Sequence, residues 1–120
     1  MLGDAGGSYQ VAKDNILVDP GQQGISVSGG HDMIVDNNSI YARQQPFTNV
    51  GLTMWDNSPP ACYSITVQNN KVNWTNKNGN SNPYWSPGGC GTILGFSTNN
   101  WNAPIDSSIF NNSIAACPGN

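Results

Sequence analysis

Glutamate is absent from this chain, and leucine is scarce, with 4 copies against 9 Ile and 7 Val. Helices favour Ala, Leu, Glu, Lys and Gln, so a helical bundle is not the expected architecture. Only 9% of the residues are charged. The 4 basic residues are scattered, which argues against a nucleic-acid partner, where a basic footprint carries the affinity. No apolar run approaches the roughly 20 residues of a membrane helix, so no membrane partner is expected. The opening segment Met1–Gly7 has neither a basic n-region nor an apolar h-region, so no signal peptide is expected. The chain reads as intracellular, or as a piece of a longer exported protein that is secreted or periplasmic. A single His cannot build a His cluster, and the three Cys match no zinc spacing. No cofactor is expected. Calcium is the one metal for which the plentiful Asp and Asn oxygens leave room, although no Asp-x-Asp-x-Asp run is present.

The 120 residues suit one domain, 1–120, with a net charge of −3. Asn is the commonest residue, with 18 copies, followed by Gly with 14. β-Branched residues favour strands, while Asn and Gly favour tight turns. The expected fold class is all-β, built from short strands.

The chain also repeats itself. Val11–Ile16, Val35–Ile40, Val67–Val72 and Ile109–Ile114 share an aliphatic residue, a polar turn and a second aliphatic residue. The last three carry Asn-Asn at the same offset, and the first carries Lys13-Asp14 there. A second pattern falls between the copies: Gly24-Ile25-Ser26-Val27, Gly51-Leu52-Thr53-Met54 and Gly91-Thr92-Ile93-Leu94. Loops at 43–49 and 77–90 account for the variable spacing, with insertions at 57–62 and 98–104. Three short strands per repeat with one fixed Asn turn imply strands stacked in parallel layers. Asn tolerates the left-handed backbone of a very short turn, and stacked Asn side chains can hydrogen-bond as a ladder. Val11, Val35, Val67 and Ile109 are expected to form one inward column, and Ile16, Ile40, Val72 and Ile114 another.

From about Tyr9 to Ala116 these motifs resemble the right-handed parallel β-helix superfamily, the pectate-lyase-like fold. The resemblance implies a solenoid of about three to four rungs with an Asn turn ladder. It places Gly24–Ser28, Gly51–Trp55 and Gly91–Ser97 in a first sheet, the strands before Asn37, Asn69 and Asn111 in a second, and those after them in a third. The chain is shorter than complete members of the superfamily and shows no capping helix. Uncapped ends expose strand edges, so a truncated coil that forms homo-oligomers through its ends is a second expectation, as a structural or interaction module without catalysis.

Members of this superfamily act on polysaccharides, along the first sheet and its flanking loops. The resemblance therefore implies a polysaccharide partner and, if the protein is an enzyme, a lyase or glycoside hydrolase. The candidate catalytic residues are Asp56, Asp32, His31 and Arg43. His31 is the one imidazole beside a carboxylate, fit for proton transfer near neutral pH. Its Gly29-Gly30-His31-Asp32 context is similar to the Gly-His-Gly of polygalacturonases, without their Asn-Thr-Asp and Asp-Asp partners. Adjacent strand residues point to opposite faces, which argues for a structural turn there. Asp32 and Asp56 are expected one rung apart, as paired carboxylates or as solvated turn residues. Arg43 is the cation that reaches the first-sheet groove. The candidate substrate-binding residues are Trp55, Thr53, Ser28, Tyr84 and Trp85. Alternation turns Leu52 and Met54 inward, so Thr53 and Trp55 face out. An outward Trp offers a flat platform to a sugar ring, unless the long loop folds over it.

For the cysteines, Cys90 and Cys117 could meet by stacking, Cys62 and Cys90 could meet through arching loops, or all three could stay reduced. Asn37, Asn73 and Asn111 stand in Asn-x-Ser/Thr sequons, but Asn37 and Asn111 are ladder positions, which argues against glycans there.

Overall fold

A computed structural model of the chain describes residues 1–4, 6–57, 62–105 and 108. The Ile109–Ile114 repeat, Cys117 and the Pro59-Pro60-Ala61 segment lie outside these residues. Among the described residues the strands are β1 (Val11–Lys13), β2 (Ile16–Val18), β3 (Gln23–Val27), β4 (His31–Asp36), β5 (Ser39–Ala42), β6 (Val50–Met54), β7 (Tyr63–Gln68), β8 (Lys71–Trp74) and β9 (Tyr84–Trp85). They form three parallel sheets, β3-β6-β9, β1-β4-β7 and β2-β5-β8, matching the first, second and third sheets in that order. Each strand pairs with the third one along the chain, so the backbone visits the three sheets in rotation. The all-β class, the parallel pairing and the three sheets agree with the sequence reading, and the arrangement is compatible with a β-helix.

The short turns between the second and third sheets divide their work between two residues. Asp14, Asn37 and Asn69 hold left-handed backbone, with φ of 58°, 54° and 56°. They are exposed, and Asn37 Nδ2 donates to Asp14 Oδ1 at 2.8 Å. The residue after each forms the ladder. Asn15 Nδ2 donates to Asn38 Oδ1 at 2.9 Å, Asn38 Nδ2 to Asn70 Oδ1 at 2.9 Å, and Asn70 Nδ2 to Asn99 Oδ1 at 2.8 Å. Asn38 and Asn70 are buried, so these bonds satisfy amides that would otherwise be costly to bury.

Two parts of the repeat differ from expectation. In the first copy the register is one residue later, with Ala12 opposite Val35 and Leu17 opposite Ile40. Ala12 and Leu17 therefore pack on the core, while Val11 and Ile16 are 59% and 67% exposed. A one-residue slip moves every side chain to the other face. Beyond Asn70 the ladder continues at Asn99, so Thr98–Pro104 is not an insertion. Phe96 and Trp101 occupy the flanking core positions that Val67 and Val72 hold around Asn70. A 3-10 turn at Phe96–Thr98 leads into Asn99, and Asn100 pairs with Lys71. Gly91–Ser97 does not form a first-sheet strand: Leu94 bridges Thr66 in the second sheet, and Tyr84–Trp85 continues the first.

The core between the sheets is a set of stacked columns, including Ile25–Leu52, Val27–Met54, Val35–Val67 and Ile40–Val72. Trp74 fills its third-sheet side at 1% exposure, and its indole N–H is the one buried side-chain polar atom lacking a partner among the described residues. Gly51 enters the first sheet where a Cβ would lie 2.5 Å from the Pro83 carbonyl oxygen and 2.7 Å from Val72 Cγ1. Gly24 meets the same obstruction one layer away, from the Gly51 oxygen and Ile40. The glycines at the second position of these strands thus allow close approach between layers.

Cys62 and Cys90 form a disulfide across 28 residues. Thr66 pairs with Leu94, also 28 positions on. The disulfide therefore joins equivalent positions of neighbouring layers: stacking brings this pair together, where the sequence reading assigned stacking to Cys90 and Cys117.

Candidate functional site

The first sheet carries a cleft of about 310 Å3, lined by Gln23, Asn49, Val50, Thr53, Trp55, Asn82 and Trp85. Its centre is an indole pair. Thr53 pairs with Trp85 across the sheet, so Trp55, two residues beyond Thr53, lies diagonally beside Trp85. The ring centroids are 5.3 Å apart with the planes at 52°. The two faces are thus tilted rather than stacked on each other. Trp85 is 47% exposed, and Trp55 is partly buried.

Two loops brace the rim. Asn82 Nδ2 donates to the Asn49 carbonyl at 2.8 Å, Lys77 N–H to the Thr48 carbonyl at 2.8 Å, and Gln44 Nε2 to the Lys77 carbonyl at 2.9 Å. The side-chain amides of Gln23 and Asn49 have no hydrogen-bond partner among the described residues.

The floor is a chain of hydroxyls. Thr53 Oγ1 donates to Ser26 Oγ at 2.6 Å, and Ser26 Oγ lies 2.9 Å from Ser28 Oγ. Thr53 and Ser28 are 1% and 0% exposed. Thr53 reaches the cleft only as its floor, and Ser28 is not among the lining residues. Ser28 as a substrate contact is therefore corrected: its hydroxyl is engaged, and its backbone N–H donates to the Leu2 carbonyl of the N-terminal segment. Tyr84 is corrected too. It is 38% exposed but does not line the cleft. Its ring packs on Phe96 and Trp101, at 5.1 and 4.6 Å.

The candidate catalytic residues are dispersed. Arg43 is turned to Asp19: its backbone N–H donates to Asp19 Oδ1 and its Nε to Oδ2, each at 2.9 Å, and Nη2 also contacts Oδ2. Arg43 and Asp19 flank third-sheet strands, so Arg43 is not the groove cation. Asp56 is exposed and lies against Gly89, at whose Cβ position Asp56 Cβ would be 3.0 Å away. Asp32 faces a different neighbour. His31 Nδ1 lies 2.6 Å from Asp32 Oδ2, although alternation expects adjacent side chains on opposite faces. The reason is the left-handed backbone at Asp32, φ 56°, stacked with the same conformation at Tyr9 and Ser64. The imidazole stacks on Tyr63 at 4.8 Å and meets Tyr9 edge-on at 5.5 Å. Neither His31 nor either Asp lines the cleft. Among the described residues no group of three or more His, Cys, Asp or Glu gathers to hold a metal.

The amides Gln23, Asn49 and Asn82 carry no signal in the repeat pattern, since Asn is common throughout the chain. Their position after each third-to-first-sheet loop is the only trace the sequence offers. No family model matches the chain, and neither a curated protein nor a solved structure does.

Proposed function

We propose that the chain is a short right-handed parallel β-helix of three to four rungs, pectate-lyase-like in its coil, that binds carbohydrate in the Trp55–Trp85 cleft. The rotation of strands through three parallel sheets and the Asn15–Asn38–Asn70–Asn99 ladder support the coil. The tilted indole pair beside amide groups is the observation that carries the ligand reading. Indoles offer apolar faces to sugar C–H groups while tolerating water at their edges, and amides both donate to and accept from hydroxyls. The lining favours recognition over catalysis, because the candidate acids and bases lie elsewhere. A Cys62–Cys90 disulfide suits an oxidising compartment, consistent with an exported protein that meets extracellular polysaccharide. Co-sedimentation with insoluble polysaccharides tests this reading. Binding to at least one polymer, weakened about tenfold or more in Trp55→Ala and Trp85→Ala as expected of aromatic anchors, supports it. Equal retention of folded wild type and both variants contradicts it.

A second reading is self-association through the coil end at β1 and β2. Both strands are edges of their sheets, and Val11 and Ile16 are exposed on them. Concentration-dependent sedimentation that is lost in Val11→Lys/Ile16→Lys supports that reading; a constant monomer mass contradicts it.

A further inference from the structure

We infer that the Trp55–Trp85 cleft selects neutral saccharides and discriminates against uronans. The inference rests on the carbohydrate reading of the same cleft and specifies its chemistry. Among the described residues the lining is three side-chain amides, one hydroxyl, Val50 and two indoles, with no Asp, His, Lys or Arg.

A uronate brings one carboxylate per sugar. Its desolvation needs a charged partner, and Arg or Lys normally supplies it with short charge-assisted hydrogen bonds. The cations of this chain are placed otherwise. Arg43 is held by Asp19, and Lys13 lies 3.9 Å from Asp36 between neighbouring second-sheet strands. Lys71 pairs with Ser39 in the third sheet. Lys77 is on the bracing loop, and its side chain does not line the cleft. The net charge of −3 adds weak repulsion of polyanions at low salt.

A neutral pyranose asks for what the cleft has. Its hydroxyls both donate and accept, as do the amides of Gln23 and Asn49, which have no other partner among the described residues. Its C–H face matches either indole. The volume of about 310 Å3 stands at the small end of the roughly 300–1,000 Å3 range of ligand sites, which suits a short stretch of chain rather than a long one. The floor hydroxyls of Thr53 and Ser26 bond each other and leave recognition to the rim.

The test is isothermal titration of the whole chain with cellohexaose, mannohexaose and xylohexaose, and with hexagalacturonate and hexaguluronate. The expected result is saturable binding of at least one neutral oligomer, with every uronate weaker by about tenfold or more. Asn49→Lys, an exposed change that leaves the core untouched, is expected to narrow that gap and make the uronate affinity fall with salt. A uronate bound more tightly than every neutral oligomer, with its affinity lost in Trp55→Ala, overturns the inference and leaves the carbohydrate reading standing. Failure of both classes to bind folded protein overturns the carbohydrate reading, and the inference with it.

Discussion

Asn70 Oδ1 accepts two hydrogen bonds from Asn38, one from its backbone N–H at 3.0 Å and one from its side-chain amide at 2.9 Å, across 32 residues of chain. Asn70 Nδ2 donates in turn to the Val35 carbonyl at 3.0 Å and to Asn99 Oδ1 at 2.8 Å. Asp at this buried position would set a carboxylate against two acceptor oxygens. Asn70→Asp is therefore expected to cost about 3 kcal/mol or more. Asn37→Gly removes one exposed contact but keeps the left-handed turn, and is expected to cost less than about 1 kcal/mol. Urea denaturation of the two variants checks the difference. Similar losses would contradict the division of work between the paired turn residues.

Gly51→Ala brings a methyl group against backbone of the next layer, the Pro83 oxygen at 2.5 Å. Backbone cannot swing aside as a flexible side chain can. The expected loss is about 1–3 kcal/mol, read as a lower denaturation midpoint. An unchanged midpoint would mean that the layers are farther apart there.

Cys62 and Cys90 link neighbouring layers across 28 residues. Closing a loop of that length removes unfolded-state entropy worth about 3–4 kcal/mol at most. Thermal unfolding with and without a reductant, and of Cys62→Ala/Cys90→Ala, is expected to show a matching drop in stability of about 2–4 kcal/mol. A reductant that leaves the wild-type midpoint unchanged would contradict the link.

Ser64 sits at φ 53°, in line with Asp32 and Tyr9. Left-handed backbone costs a side-chain-bearing residue about 1–2 kcal/mol. Ser64→Gly relieves that strain, partly offset by the greater unfolded freedom of Gly. It is expected to be neutral or stabilising by up to about 1 kcal/mol, whereas Ser64→Val is expected to destabilise by about 1–2 kcal/mol. Guanidinium unfolding of both orders them, and the reverse order would contradict a left-handed residue 64.

The ladder was legible at Asn37-Asn38 and Asn69-Asn70 because aliphatic residues flank both pairs at the same offsets. It was harder to read at Asn15 and Asn99. Val11-Ala12 and Ile16-Leu17 each offer two adjacent apolar residues, so a spacing argument settles on the β-branched first member, while the structure buries the second. Around Asn99 the flanking positions hold Phe96 and Trp101, and an aliphatic pattern passes over aromatic substitutes. Gly91-Thr92-Ile93-Leu94 resembles Gly51-Leu52-Thr53-Met54 in type, but the chain has already used Tyr84–Trp85 for that sheet. At the cleft, alternation made Trp55 legible as an outward aromatic, while Trp85 read as part of a long loop. The burial of Ser28 and Thr53 was not, since alternation gives the face of a side chain and says nothing of what covers it. The turn of Asp32 back toward His31 depends on one left-handed residue, which strand alternation cannot express.

The central claim is that saccharide binds at Trp55 and Trp85. The most direct measurement follows the indole N–H resonances of the 4 tryptophans in 15N-labelled protein titrated with cellohexaose, mannohexaose and xylohexaose, each resonance assigned by single Trp→Phe substitution. The account predicts that at least one oligomer shifts Trp55 and Trp85 in a saturable way. Trp74, 1% exposed in the core, and Trp101, packed with Tyr84 and Phe96, should stay in place. Shifts confined to Trp101, or no shift at any indole with any of the three oligomers, would contradict it.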